Sequence, residues 1–352
     1  MGAGRAGHDR ARGLTSNQLV IADAHVDLLL ELAYREHRLG EQGVFARSWL
    51  PLLDAGGVCL QVCPIFVELE RQPEGTLREA LGQATSFLRA IRENRKRVVQ
   101  ILGAADLDAV EQGGRLGLML SLEGAEPFGY ELWPVDAFWE LGLRMASLTW
   151  NRRNPYADGA AEDGGLSRLG KALVDRLCER GVILDLAHAS PALFDDVLGR
   201  SDGSPVLVSH AACRAVNDHP RNLGDDQLRA LAERDGLLGL MLHPLAIDHE
   251  RRTIGRVIDH LEHAAQTIGL DHVCLGGDFV SRITRELPPI PSPADGLMPP
   301  GLEVGSSIEG LAGPEDYPAL ANALAARGWS ADDVAAVTHE NLLRFLRASL
   351  PA

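Results

Sequence analysis

Eight short apolar runs recur along the chain, and most are followed by a segment patterned as a helix. The first, led by Leu19, Val20 and Ile21, enters the stretch A-D-A-H-V-D-L-L at 22–29. The others occupy 57–66, 115–123, 143–150, 182–188, 205–210, 237–243 and 272–278. Helix-patterned segments lie at 77–96, 167–180, 225–234 and 251–268, and a long helical region at 314–346 closes the chain. Strands that are apolar almost throughout are those covered on both faces, as in parallel sheets flanked by helices. Eight of them alternating with helices fit a closed barrel better than an open sheet. The expected fold class is therefore α/β: a single-domain (β/α)8 TIM-like barrel over residues 17–350, behind a disordered lead at 1–16.

Composition sets the outer limits. The 352 residues are 45% hydrophobic, enough for one large core. The net charge of −15 argues against nucleic acid or an anionic membrane surface as partner. No run of about eighteen apolar residues is present to span a bilayer, and the N-terminus carries charge without the apolar core of a secretory signal. Cys59, Cys63, Cys178, Cys213 and Cys274 are odd in number and lack C-x-x-C spacing, so they read as reduced packing residues and imply a cytoplasmic address.

Several motif-like stretches carry nothing. Gly2, Gly4 and Gly7 spell G-x-G-x-x-G with no strand before them. The P-loop-like 165–172 ends in Ala172 where a magnesium-binding hydroxyl belongs, and reads as a helix start capped by Ser167. His260 and His263, three apart on a helix, read as a solvated face, and H-E at 339–340 lacks a second His. The Pro-rich stretch 287–301 follows the eighth run and suits a rim or lid.

The chemistry gathers at the C-terminal ends of the runs, where barrel enzymes keep their active sites. The first ends in His25 and Asp27, the third in Glu123, the fifth in His188, the sixth in His210 and the eighth in Asp278. On a strand, His25 and Asp27 share one face, and an imidazole beside a carboxylate suits a divalent cation such as zinc. His25 and Asp27 can hold one cation, His188 and His210 a second, with Glu123 bridging. A water held there has its pKa drawn towards about 7. Asp278 is left over as general base and acid.

With these residues in view, the chain resembles the membrane dipeptidase (renal dipeptidase) family of binuclear zinc peptidases, in the amidohydrolase-like barrel group. The resemblance runs from about Leu19 to Leu346. It rests on D-A-H-V-D, S-L-E-G, L-T-W-N-R-R-N-P-Y-A-D, D-L-A-H-A-S, V-S-H-A-A-C-R-A-V-N-D-H-P-R-N, L-G-G-D-F and the closing E-D-Y-P…H-E-N-L-L-R-F. It implies two zinc ions (other divalent metals being open), one on His25, Asp27 and Glu123 and the other on Glu123, His188 and His210. Arg221 would clamp the substrate carboxylate and Asp278 would move the proton. Two positions depart from the family pattern. Trp150 stands where a His helps hold the tetrahedral intermediate, and His243 stands where the renal enzyme's pattern has a Tyr. Asn151 is a substitute donor, although a strand neighbour faces the other way. Asp185 and Asn154 are either orienters of the site or structural.

The resemblance thus implies a metallopeptidase that hydrolyses small dipeptides by attack of a zinc-bridging hydroxide, tolerating D-residues or Gly at the C-terminal position. Pocket residues would be Arg221, Trp150, Asn151 and His243, and a homodimer is left open. A binuclear amidohydrolase acting on another small amide, a β-lactam or a lactone is the alternative that Trp150 motivates. A non-catalytic metal-binding protein is the third, disfavoured because a scaffold needs neither Asp278 nor Arg221.

Overall fold

The computed structural model describes residues 19–67, 74–112, 114–288 and 296–352. The expected N-terminal lead, and part of the Pro-rich stretch, lie outside the described residues. Among the described residues there are nine parallel strands: β1 (Ile21–Asp23), β2 (Val58–Phe66), β3 (Val98–Gln100), β4 (Leu116–Glu123), β5 (Leu143–Ser147), β6 (Ile183–Asp185), β7 (Val206–Ala211), β8 (Leu237–Met241) and β9 (Val273–Gly276). Eight close into a ring in the order β1, β2, β4, β5, β6, β7, β8, β9, with β9 returning to β1. This is the expected (β/α)8 barrel. The ninth, β3, was not foreseen. It lies on β4 at Leu116–Leu118, below the stretch where β5 pairs at Leu120–Leu122.

The period of two along each strand separates two cores. Leu118, Leu120 and Leu122 pack outward in the strand–helix layer. Met119 joins Leu60, Met145, Ile183, Leu207, Leu237 and Cys274 in a second cluster, drawn from facing strands and therefore the barrel interior. Leu342, Leu343, Phe345 and Leu346 of the last helix, Asn341–Ser349, join that cluster and stopper the N-terminal mouth. The opposite mouth is left for polar side chains. Continuing the inward set up β4 from Met119 leads through Ser121 to Glu123, and up β6 from Ile183 to Asp185.

In β7 the register shifts between Val208 and Ala211. The backbone there moves inward, with Ser209 O so close to β8 and β9 that a Cβ on Gly239 or Gly276 would stand 2.0 or 1.9 Å from it. Such a bulge breaks the alternation. It lets consecutive residues Ser209 and His210 both serve the site.

Several expected boundaries move. β1 stops at Asp23 and β9 at Gly276, so His25, Asp27 and Asp278 sit in the turns just beyond. The long C-terminal helical region is broken where Gly328, at φ 105°, ends the helix Tyr317–Arg327 and Ser330 caps the next. Ser167 does cap its helix, accepting from Gly170 N. The reading of His260 as solvated is wrong. It is fully buried, taking Cys213 N on Nδ1 at 3.1 Å and donating from Nε2 to Ile247 O at 2.9 Å. His263 is half-buried and pairs with Asp225. The five cysteines are unpaired and four are buried, and no described helix is long and apolar enough to cross a membrane.

Candidate metal centre

Residues from five strand ends meet at the open mouth. Glu123 stands among three imidazoles: its Oε2 is 3.6 Å from His25 Nε2, and its Oε1 is 2.8 Å from His188 Nε2 and 3.6 Å from His210 Nε2. His25 Nε2 also has Asp27 Oδ2 at 3.7 Å and Asp278 Oδ1 at 3.9 Å. All six residues are buried. Two donor groups fall within one ion's reach, His25 with Glu123 and His210, and His25 with Asp27 and Asp278, each with ligand atoms within 4.8 Å of one another.

For His188 and His210, the far side of the ring fixes the tautomer. Asn151 Oδ1 lies 2.6 Å from His188 Nδ1 and accepts a hydrogen bond from it. Ser209 Oγ donates to Asp185 Oδ2 at 2.5 Å and so accepts from His210 Nδ1 at 2.8 Å. With both protons on Nδ1, the two Nε2 lone pairs face each other at 2.8 Å beside a carboxylate oxygen. Three acceptors converging with no proton between them call for a cation. His25 Nε2 and Asp27 Oδ1 say the same, being buried without a hydrogen-bond partner. The mixed nitrogen and carboxylate set fits zinc, and Glu123 offers one oxygen to each side.

Electrostatics agree. Burial pushes Glu123 well above the usual carboxylate range, with Asp27 and Asp278 adding to it. Burial likewise lifts Asp278 to about 6, His25 and Arg221 pulling the other way. Burial opposes charge on His25, but Glu123, Asp27 and Asp278 overcome it and hold the imidazole at about 10. His188 and His210 are held well below the usual value by burial first, then by neighbouring positive charge from Arg221 and His25. A proton shared around His25 does in the bare site what metal charge would do in the loaded one.

Strain marks the same place. Of the three non-glycine residues at positive φ among the described residues, two are His188 (63°) and Asp278 (48°). Each such conformation costs about 1–3 kcal/mol and persists only where surrounding contacts enforce it.

The remaining expected residues divide. Arg221 is buried next to the centre, donating from Nη2 to His210 O at 3.3 Å. Trp150 is half-buried with its ring centroid 5.3 Å from Phe66 and 5.9 Å from His188, walling one flank. Asn151 does not face away as a strand neighbour would, because β5 ends at Ser147 and the chain turns; its oxygen holds His188. Both ring nitrogens of His243 are engaged by backbone, Nδ1 with Leu245 N and Nε2 with Val304 O. It therefore pins the loop beyond the Pro-rich stretch. Of the two undecided residues, Asp185 orients the site through Ser209, whereas Asn154 ties its own loop through Leu148 O, Tyr156 N and Ala157 N.

Sequence reasoning missed Ser209 and Asp23. Ser209 adjoins a ligand in a strand that should alternate, so only the bulge reveals it. Asp23 has the signal of lying two residues before His25, yet its work is done on backbone amides.

Comparison with known proteins points the same way. The family model described as membrane dipeptidase (peptidase family M19) matches residues 8–288. Dipeptidase aclJ of Aspergillus oryzae is 31% identical over 330 residues, covering 89% of this chain and 72% of its own length. The chain spans only 45–60% of three other curated relatives it matches. Among solved structures, a dipeptidase AC described as a metallopeptidase of family M19 superposes with a TM-score of 0.80 at 26% identity, covering 94% of this chain and 99% of its own. A Rhodobacter sphaeroides metallopeptidase, solved with a phosphinate mimic of the dipeptide L-Ala-D-Ala, does so with a TM-score of 0.80 at 25% identity, covering 95% and 100%. The barrel, the ligand constellation and these matches lead to one conclusion: the chain belongs to the membrane dipeptidase family, peptidase family M19.

Proposed function

We propose that the protein is a metal-dependent dipeptidase using two zinc ions, one held by His25, Asp27 and Glu123 and the other by Glu123, His188 and His210. The observation that carries this is Glu123 Oε1 facing two imidazole lone pairs while Oε2 faces a third imidazole. When bound, such a pair supplies a water of lowered pKa and polarises the carbonyl. The chain's own residues do the rest. The Arg221 guanidinium offers a two-pronged donor for the free carboxylate of a dipeptide and sets its register over Glu123. Asp278, 3.9 Å from His25 Nε2, takes the proton of the attacking water and hands it to the leaving amine. Buried walls around Glu123 keep bulk water out, which strengthens each of these interactions. The Rhodobacter sphaeroides relative's mimic of L-Ala-D-Ala supports a small dipeptide with a D-residue at its C-terminal position, and acceptance of Gly there is part of the same proposal. A cytoplasmic setting belongs to the same proposal, supported by the five unpaired cysteines.

The test is a dipeptide library assayed on chelated protein before and after zinc is restored. Zinc-restored hydrolysis of dipeptides is expected; hydrolysis indifferent to chelation contradicts the proposal. Trp150 favours a second reading. An indole replaces the family imidazole against His188, and losing a donor to the developing oxyanion costs roughly 10²–10³ in rate. Another small amide or a lactone outperforming every dipeptide would support it.

A further inference from the structure

Asp278 holds an unfavourable backbone conformation at φ 48°, and something must hold it there. Its own amide donates to His25 O at 2.9 Å, which ties the ends of β9 and β1 together. On either side of it the chain is gripped again. The preceding residue, Gly277, donates its amide to Asp23 Oδ1 at 2.8 Å, and the same oxygen takes His25 N at 3.0 Å. The following residue, Phe279, meets the ring of Tyr317 edge-on with centroids 5.4 Å apart. Tyr317 closes the loop by donating its hydroxyl to Asp23 Oδ2 at 2.7 Å. Asp23 and Tyr317 are both fully buried. Gly277 leaves no room for drift, because a Cβ there would lie 2.8 Å from Asp23 Oδ2 and 2.6 Å from the Phe279 ring.

Tyr317 opens the helix Tyr317–Arg327, beyond the span 8–288 matched by the family model. It touches none of the metal-ligating atoms. Its reach into the site is indirect: through one carboxylate to two amides, and through one ring to the residue after Asp278. We propose that Asp23 and Tyr317 form a positioning pair that holds Asp278 in its strained, site-facing conformation and thereby sets the turnover rate. This rests on the dipeptidase reading in so far as Asp278 carries the proton. A carboxylate that moves protons is sensitive to small displacements, and a misplacement of about 1 Å can cost on the order of 10²-fold in rate. Arg221, which would hold the substrate, is anchored elsewhere, on His210 O. The pair should therefore act on kcat and leave KM alone.

The experiment compares wild type with Tyr317→Phe, Asp23→Asn and Asp23→Ala, all zinc-loaded and assayed well below their melting temperatures. Tyr317→Phe should lower kcat about 10–100-fold, with KM and zinc stoichiometry unchanged. It should raise the solvent deuterium isotope effect on kcat, as proton transfer becomes slower. Asp23→Asn keeps an acceptor for the two amides and a group able to bond Tyr317, so it should recover most of the rate lost in Asp23→Ala. Independently of activity, hydrogen exchange of the segment 273–280 should quicken in Tyr317→Phe. Unchanged kcat, or a fall in kcat matched by zinc loss with no change in isotope effect or exchange, overturns the inference. If wild type hydrolyses no dipeptide, the dipeptidase reading fails instead, and the exchange measurement alone still decides whether Tyr317 holds Asp278.

Discussion

Asn151 and Ser209 each take one ring nitrogen of a histidine and leave the other to the centre. Their loss should be felt as metal affinity before it is felt as stability. Asn151→Leu or Ser209→Ala should weaken zinc binding about 10–100-fold, read by competition with a chromophoric chelator; unchanged affinity would show that the rings are oriented by packing alone. Asp278 gives a second prediction. Burial lifts its carboxyl to about 6 in the metal-free protein, and bound cations would pull it down from there, so in the zinc enzyme the proton acceptor is lost as pH falls through a value no higher than about 6. kcat/KM should drop tenfold per pH unit below that point, and Asp278→Asn should abolish the reaction with zinc retained. Turnover of Asp278→Asn at the wild-type rate would refute the assignment. The residue types were legible in the sequence because titratable groups at strand ends have no structural reason to be there. The positioning residues were less so. A serine beside a ligand, or an aspartate bonding amides, looks like any polar residue until the backbone is in place.

At the scale of elements, periodicity carried the barrel: every apolar run became a barrel strand. It could not carry β3, which has three residues and, among the described residues, pairs with β4 alone, or the bulge in β7, which violates the alternation by which strands are recognised. The bulge depends on two glycines. Gly239→Ala would drive a methyl to within 2.0 Å of Ser209 O. Overpacking of this kind costs about 1–3 kcal/mol, and the strain falls on the strand that presents His210. A lower denaturant midpoint together with weaker zinc binding is expected. A normal midpoint would mean that β7 is held by something other than this close approach. His260 taught the reverse lesson: a helix face with two histidines looks solvated until another element, here the 211–217 turn, is laid over it.

For the molecule as a whole, the centre is a store of unbalanced charge that metal and proton compete to settle. In the metal-free protein His25 is held at about 10 by its carboxylates. An imidazole raised in this way contributes stability that is fully present below its unfolded value near 6.5 and is lost as pH rises through about 10. Chelated protein should therefore lose melting temperature between those limits. Zinc-loaded protein, whose cations replace that proton, should not. The gap between the two melting curves should widen with pH, and a constant gap would contradict the charge balance described here. The most direct measurement is anomalous diffraction at the zinc edge from zinc-loaded crystals. Two peaks are predicted, one beside Asp27 and Glu123 Oε2, the other beside His188, His210 and Glu123 Oε1. A single peak, or a pair that Glu123 does not join, would contradict the account.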